Sequence, residues 1–126
     1  MVNDCPAFDK NELIPVVVQS EKSGKVLMMA YMNQAAFEKT IKTKQAHFYS
    51  RSRKKLWKKG EESGHTQEVK EIRVDCDGDT IVLQVEQKGP GACHKGYKTC
   101  FYRTWDGKEW KVSETPSFDP KKVYDK

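Results

Sequence analysis

The longest apolar runs in this chain are Val16-Val17-Val18 and Val26-Leu27-Met28-Met29-Ala30. Both fall far below the roughly 20 residues that a membrane helix needs. Runs this short, set between turn residues and charges, predict brief strands. Residues 13–19, rich in β-branched side chains, and residues 25–31 read as two strands around the turn Ser23-Gly24, a hairpin. Asn33 stands where a helix N-cap belongs. After it, residues 34–44 carry Ala36, Phe37 and Ile41 at helical spacing, with lysines on the outer face. From Ala46 the pattern is strand-like through Phe48 and Tyr49, then enters a basic stretch. Residues 60–64 read as a loop, and residues 66–75 and 80–87 as further strands, with Ile72 and Val74 facing one way and Arg73 the other. Gly89-Pro90-Gly91 and Gly96 break the pattern. Residues 100–105 and 109–112 read as closing strands around Asp106-Gly107, and residues 113–126, with Pro116, Pro120 and many charges, as a loosely ordered extension. No repeat or linker divides the chain. The expectation is one mainly β domain with a single helix, of the α+β class, over residues 1–126.

At 126 residues, 37% hydrophobic and 33% charged, such a domain has a modest core, of the kind completed in an oligomer. The N-terminus shows no basic segment followed by an apolar one, so no secretory signal is read and the expected compartment is the cytoplasm. In a reducing cytosol, four cysteines point to metal binding or catalysis before disulfides. The formal charge is +5, and between Ile41 and Gly60 stand eight Lys or Arg residues and no Asp or Glu. That block fits either an anionic partner or a solvated basic face.

The most informative segment is Asp75-Cys76-Asp77-Gly78-Asp79. If extended, it would put the three carboxylates on one side and Cys76 on the other, because strand side chains alternate. It would then serve two sites, one of hard oxygens and one containing a soft thiolate. An EF-hand loop is excluded: its sixth position is Thr80 where Gly is required, and Ile81-Val82-Leu83 begins a strand where a helix should start. Cys93 and Cys100 have six residues between them, and sixteen separate Cys76 from Cys93. These spacings exceed those of structural zinc knuckles. Three thiolates leave one tetrahedral position for water, as in a catalytic zinc site, while Cys5 as a fourth ligand would make the site structural. Water on so electron-rich a zinc needs a nearby base, for which His94 and His65 are the candidates.

Upstream, Tyr49-Ser50-Arg51-Ser52-Arg53 alternates hydroxyls and guanidiniums, and Leu56-Trp57-Lys58-Lys59-Gly60 follows. Forked guanidinium donors, serine hydroxyls and a lysine suit phosphate, and Trp57 offers a stacking face for a base. The same mixture would suit RNA.

Together these motifs resemble the phosphoribosyl-AMP cyclohydrolase family, the third step of histidine biosynthesis. The resemblance runs from about residue 10 to 105. It includes Val26-Leu27-Met28-Met29-Ala30-Tyr31-Met32-Asn33, Ser50-Arg51-Ser52-Arg53, Ser63-Gly64-His65, the aspartate segment, and Cys93-His94-Lys95-Gly96 through Cys100-Phe101-Tyr102-Arg103. Gly91 is a small departure, one residue more than many relatives have in this loop. The resemblance implies a compact, barrel-like domain in an intertwined homodimer, whose zinc ligands are Cys76 of one chain with Cys93 and Cys100 of the other. It implies magnesium at Asp75, Asp77 and Asp79. The implied substrate is the small molecule phosphoribosyl-AMP, with no nucleic acid and no membrane as partner. The implied chemistry is zinc-activated attack of water on C6 of the adenine and cleavage of N1–C6, with His94 first and His65 second as proton shuttle. Ser50, Arg51, Ser52, Arg53, Trp57 and Lys59 would bind substrate, and the chain's length suggests the form without a fused pyrophosphohydrolase domain. Two rivals are a nucleic-acid-binding module with a structural zinc, and a zinc deaminase. The latter would carry His/Cys-x-Glu and Pro-Cys-x-x-Cys patterns, and the sequence has neither.

Overall fold

The computed structural model describes residues 6–89, 91–92 and 95–117. Cys5, Cys93, His94 and residues 118–126 therefore lie outside the described residues.

The centre of the fold is a parallel pair of strands, β1 (Ile14–Ser20) and β6 (Ile81–Gln87). Each alternates strictly: Ile14, Val16 and Val18 of β1 and Ile81, Leu83 and Val85 of β6 are fully buried, while the residues between them are partly exposed. Branched side chains at every second position fill one face of a pleated sheet, which is why these runs fold as strands. On the outer side of β1 lies β2 (Val26–Met32), antiparallel through the predicted hairpin, and on the outer side of β6 lies antiparallel β5 (Gln67–Val74). The sheet order is β2-β1-β6-β5.

Helix α1 (Gln34–Thr43) starts where the sequence predicts. Asn33 has an extended backbone, and its side chain accepts a hydrogen bond from the Ala36 N–H at 2.9 Å. The buried stripe differs from the expected one. Ala36 and Thr40 are buried and Phe37 packs against Phe8, whereas Ile41 is exposed. Thr40 tolerates burial because its hydroxyl donates to the Ala36 carbonyl at 2.9 Å and accepts from the His47 N–H at 3.0 Å.

A second hairpin, β3 (His47–Ser50) with β4 (Lys55–Lys58), packs near the helix, and its Phe48 lies opposite Trp57 with ring centroids 5.1 Å apart. Strand β4 was not legible in the lysine-rich sequence: Leu56 and Trp57 are its apolar residues, and both pack on the core. The third hairpin, β7 (Arg103–Trp105) with β8 (Trp110–Val112), is exposed throughout. Residues 113–117 are tied back to the domain. The Ser113 N–H donates to the Tyr102 carbonyl, the Ser117 N–H to the Gly96 carbonyl, and Lys25 pairs with Glu114 at 2.8 Å.

The expected barrel is not formed among the described residues. Closure requires an unbroken series of ladders, but the four-stranded sheet and the two hairpins remain three separate sheets. No helix of the described residues is long and apolar enough to cross a membrane.

Candidate active site

The β5–β6 connection, residues 75–80, carries the acidic segment. It is a turn, not a continuation of strand: the Asp75 N–H donates to the Thr80 carbonyl at 3.0 Å and the Gly78 N–H to the Asp75 carbonyl at 3.2 Å. One carboxylate oxygen of Asp75 accepts from the Asp79 and Thr80 N–H groups at 3.0 and 3.2 Å. The alternation expected for an extended segment is thus absent, and with it the reason for Cys76 to lie on the face opposite the carboxylates. The carboxylates converge all the same, because the turn folds them together: one oxygen each from Asp75, Asp77 and Asp79 lies within 4.8 Å of the others.

Three carboxylates this close cannot all ionise at their ordinary values. Hydrogen bonding to Asp77 and Asp75, then partial desolvation, pushes the Asp79 carboxyl above its usual range. For Asp75, partial desolvation acts upward but is outweighed by hydrogen bonds from Asp79, Asp77 and Thr80, which hold it below that range. A cluster of converging hard oxygens fits a divalent cation such as magnesium. Cys76 and Cys100 are both exposed residues. Cysteines that serve only packing are usually buried, so exposed cysteines fit soft-metal ligands of a site that other groups complete.

Cys100 is fixed by the edge of β2: its N–H donates to the Leu27 carbonyl at 2.6 Å, and the buried Thr99 hydroxyl donates to the Val26 carbonyl at 2.7 Å. Beside it opens a cleft of 380 Å³ walled by Phe101, Tyr102, Arg103 and Trp110. Tyr102 stacks on Tyr97 at 4.0 Å between centroids, 5° from parallel. The sequence motifs for metal and phosphate did not single out this aromatic wall.

The β3–β4 turn presents the basic segment between two clefts. Ser50, Ser52 and Trp57 line both. One cleft, of 470 Å³, adds Arg53, Lys58 and Lys59. The other, of 500 Å³, adds Arg51, Tyr31 and Tyr49, and the Arg51 guanidinium lies 4.1 Å over the Tyr31 ring. The six residues expected to bind substrate therefore cluster about one turn, with the two arginines on different sides. Lys58, Tyr31 and Tyr49 join them: Tyr49 and Lys58 through the β3–β4 pairing, and Tyr31 from β2, where Arg51 lies over its ring. Lys59 is also engaged inward, its ammonium donating to the Ala92 carbonyl at 2.6 Å.

His65 is buried, 7% exposed, with Nδ1 3.1 Å from the Gly91 carbonyl.

The sequence matches the family profile of Phosphoribosyl-AMP cyclohydrolase over residues 28–102. Proteins called phosphoribosyl-AMP cyclohydrolase from Methanosarcina acetivorans, Desulforapulum autotrophicum and Solibacter usitatus are 61%, 58% and 56% identical to it. The alignments cover 91%, 89% and 93% of this chain and 92%, 90% and 94% of the respective relatives. The chain belongs to the phosphoribosyl-AMP cyclohydrolase family. Every candidate site residue, from Ser50 to Cys100, falls inside the span that the cyclohydrolase profile matches.

Proposed function

We propose that the protein hydrolyses 1-(5-phosphoribosyl)-AMP in the cytoplasm, breaking the N1–C6 bond and opening the adenine ring to the formimino-aminoimidazole carboxamide ribotide. In this reading Cys76, Cys93 and Cys100 hold zinc, Asp75, Asp77 and Asp79 hold magnesium, and the zinc ligands come from two subunits of a homodimer. The observation that carries it is the exposure of Cys76 and Cys100, on a chain akin to cyclohydrolases along almost its whole length. Sharing of ligands is supported further by apolar surface that one chain leaves open, Phe101, Trp105, Trp110 and Val112 among it.

When bound, zinc supplies acidity to water and polarises the reacting centre. The protein's own groups do the rest. Arg51 and Arg53, facing different clefts, hold the two phosphate ends of the substrate, and Ser50 and Ser52 add hydroxyl donors. Alkylation at N1 leaves the ring electron-poor, so a modest nucleophile suffices at C6. His94, next to Cys93 in sequence, takes the proton from the attacking water and returns one to N1 as the N1–C6 bond breaks. His65, with its Nδ1 against a backbone carbonyl, serves poorly as a shuttle.

A spectroscopic assay of ring opening on wild type, Cys93→Ser and His94→Ala tests this. Cys93→Ser is expected to lose both zinc and activity. His94→Ala should keep zinc and lose about 10²–10⁴-fold in kcat. A fully active Cys93→Ser protein would end the zinc mechanism, and an Asp77→Asn protein with unchanged magnesium dependence would end the assignment of the second metal.

A further inference from the structure

We propose that His65, with Lys59, is a positioning residue: it fixes the backbone that leads into Cys93 and His94 and does not itself touch the substrate. This rests on the cyclohydrolase reading insofar as it takes Cys93 as a zinc ligand and His94 as the proton carrier.

Two consecutive carbonyls just before Cys93 are held by side chains from the β4–β5 connection and its approach. The Gly91 carbonyl is 3.1 Å from His65 Nδ1, and the Ala92 carbonyl accepts from Lys59 Nζ at 2.6 Å. A carbonyl oxygen can only accept, so Nδ1 carries the proton in this contact. The imidazole is therefore committed to the backbone through that nitrogen. Gly89 approaches the ring closely: a Cβ there would collide with His65 Cδ2 and lie 3.0 Å from Nε2. The ring packs against Gly89, and any larger residue there would displace it.

The same segment is braced from two further directions. The Ala92 N–H donates to the Lys98 carbonyl at 3.1 Å, joining two described points of the chain between which Cys93 and His94 stand in sequence, two residues before Cys100. Below it, the Gln87 amide donates to the His65 and Lys88 carbonyls at 3.0 and 2.9 Å, and its oxygen accepts from the fully buried Gln67 at 2.8 Å. A chain of hydrogen bonds thus runs from the core through the end of β6 to the Gly91 carbonyl. Groups that orient metal ligands in this way commonly govern how tightly the metal is held and how well the site is aimed.

The test uses the full-length protein as wild type, His65→Ala and His65→Asn. The Asn side-chain nitrogen reaches the place of imidazole Nδ1 and keeps a donor toward the Gly91 carbonyl. Three quantities are measured: kcat and KM on phosphoribosyl-AMP, zinc release to a chelator, and hydrogen exchange of residues 87–100 in zinc-free protein. For His65→Ala, kcat is expected to fall and zinc release to quicken, each about 10–100-fold. KM should stay within about threefold and exchange should rise only in that segment, because ground-state binding is left alone. His65→Asn should restore all three toward wild type. If His65→Asn is as slow as His65→Ala while holding zinc and protecting that segment normally, the imidazole does chemistry and the proposal fails. Wild-type zinc release and exchange in His65→Ala would also overturn it. If the wild type itself neither held zinc nor opened the substrate, the cyclohydrolase reading would fail, and exchange in the zinc-free variants would still decide the role of His65. Should His65→Ala not fold, His65→Gln, which keeps a donor but sets it one methylene too far, takes its place.

Discussion

Gly91 shows how much the candidate site depends on a side chain that is not there. A Cβ at this position would lie 2.5 Å from the Tyr97 carbonyl oxygen and 2.9 Å from Lys98 Cα. The backbone at Gly91 passes directly against that of residues 97 and 98, and no flexible side chain is available to yield. Gly91→Ala is accordingly expected to cost about 1–3 kcal/mol, as overpacking at a rigid contact does. Urea denaturation would show it as a lower midpoint at unchanged slope, with weaker zinc retention alongside. In the sequence, Gly91 stands as part of the breaker Gly89-Pro90-Gly91 and as one residue more than many relatives have. Its reason lies in a contact with residues 97 and 98, which no local pattern records. The aspartates make the converse case: their convergence was foreseen, but from strand alternation, whereas the Asp75 side chain builds a turn by accepting from two backbone N–H groups. Competition between an Asp side chain and strand backbone is a local effect, and Gly78 within the segment was the available hint.

Among the elements, β1 and β6 were legible from their β-branched runs, α1 from its capping residue, and β2 and the β7–β8 hairpin from the turns Ser23-Gly24 and Asp106-Gly107 beside them. Strand β4 was not, since only the register Phe48↔Trp57 and Tyr49↔Leu56 shows which of its residues face inward. Nor was the inward turn of Thr40 in place of Ile41, because a threonine becomes a core residue only when a tertiary partner, here the His47 backbone, satisfies its hydroxyl. Strands β5 and β6 carry a ladder of Glu68, Lys70, Glu86 and Lys88. Hydrogen bonding from Lys70 and from Lys88 lowers the Glu68 and Glu86 carboxyls respectively, and the same contacts raise the two ammoniums. Lowered carboxyls contribute stability above the ordinary carboxylate range and lose it as pH falls through their lowered values. Raised ammoniums contribute below the ordinary lysine range and lose it as pH rises through their raised values. The ladder is therefore strongest between those limits. Glu86→Gln should lower the unfolding midpoint slightly at neutral pH, and the difference should vanish in acid and shrink in about 0.5 M salt, because exposed pairs are screened. A difference that persisted under both conditions would place the effect in packing instead of charge.

At the scale of the whole molecule, one chain presents the parts of a catalytic site without enclosing them. The aspartate turn, the basic β3–β4 turn and the pinned backbone of residues 91 and 92 each sit on a different connection, and the exposed β7–β8 hairpin is too small to be stable alone. Among the described residues, the barrel implied by family resemblance is replaced by an open four-stranded sheet with two satellite hairpins, a geometry suited to completion by a second copy. The most direct test of the central claim, a zinc site assembled from two chains of a cyclohydrolase, is a mixed dimer. Cys76→Ser and Cys100→Ser chains carrying different tags are co-expressed, isolated together by both tags, and assayed for phosphoribosyl-AMP hydrolysis. Each parent alone lacks a ligand in every site. In the mixed dimer, one site joins the intact Cys76 of one chain to the intact Cys93 and Cys100 of the other, so about half the wild-type activity should return. A mixed dimer as inactive as its parents, beside a fully active doubly tagged wild type, would contradict the shared site.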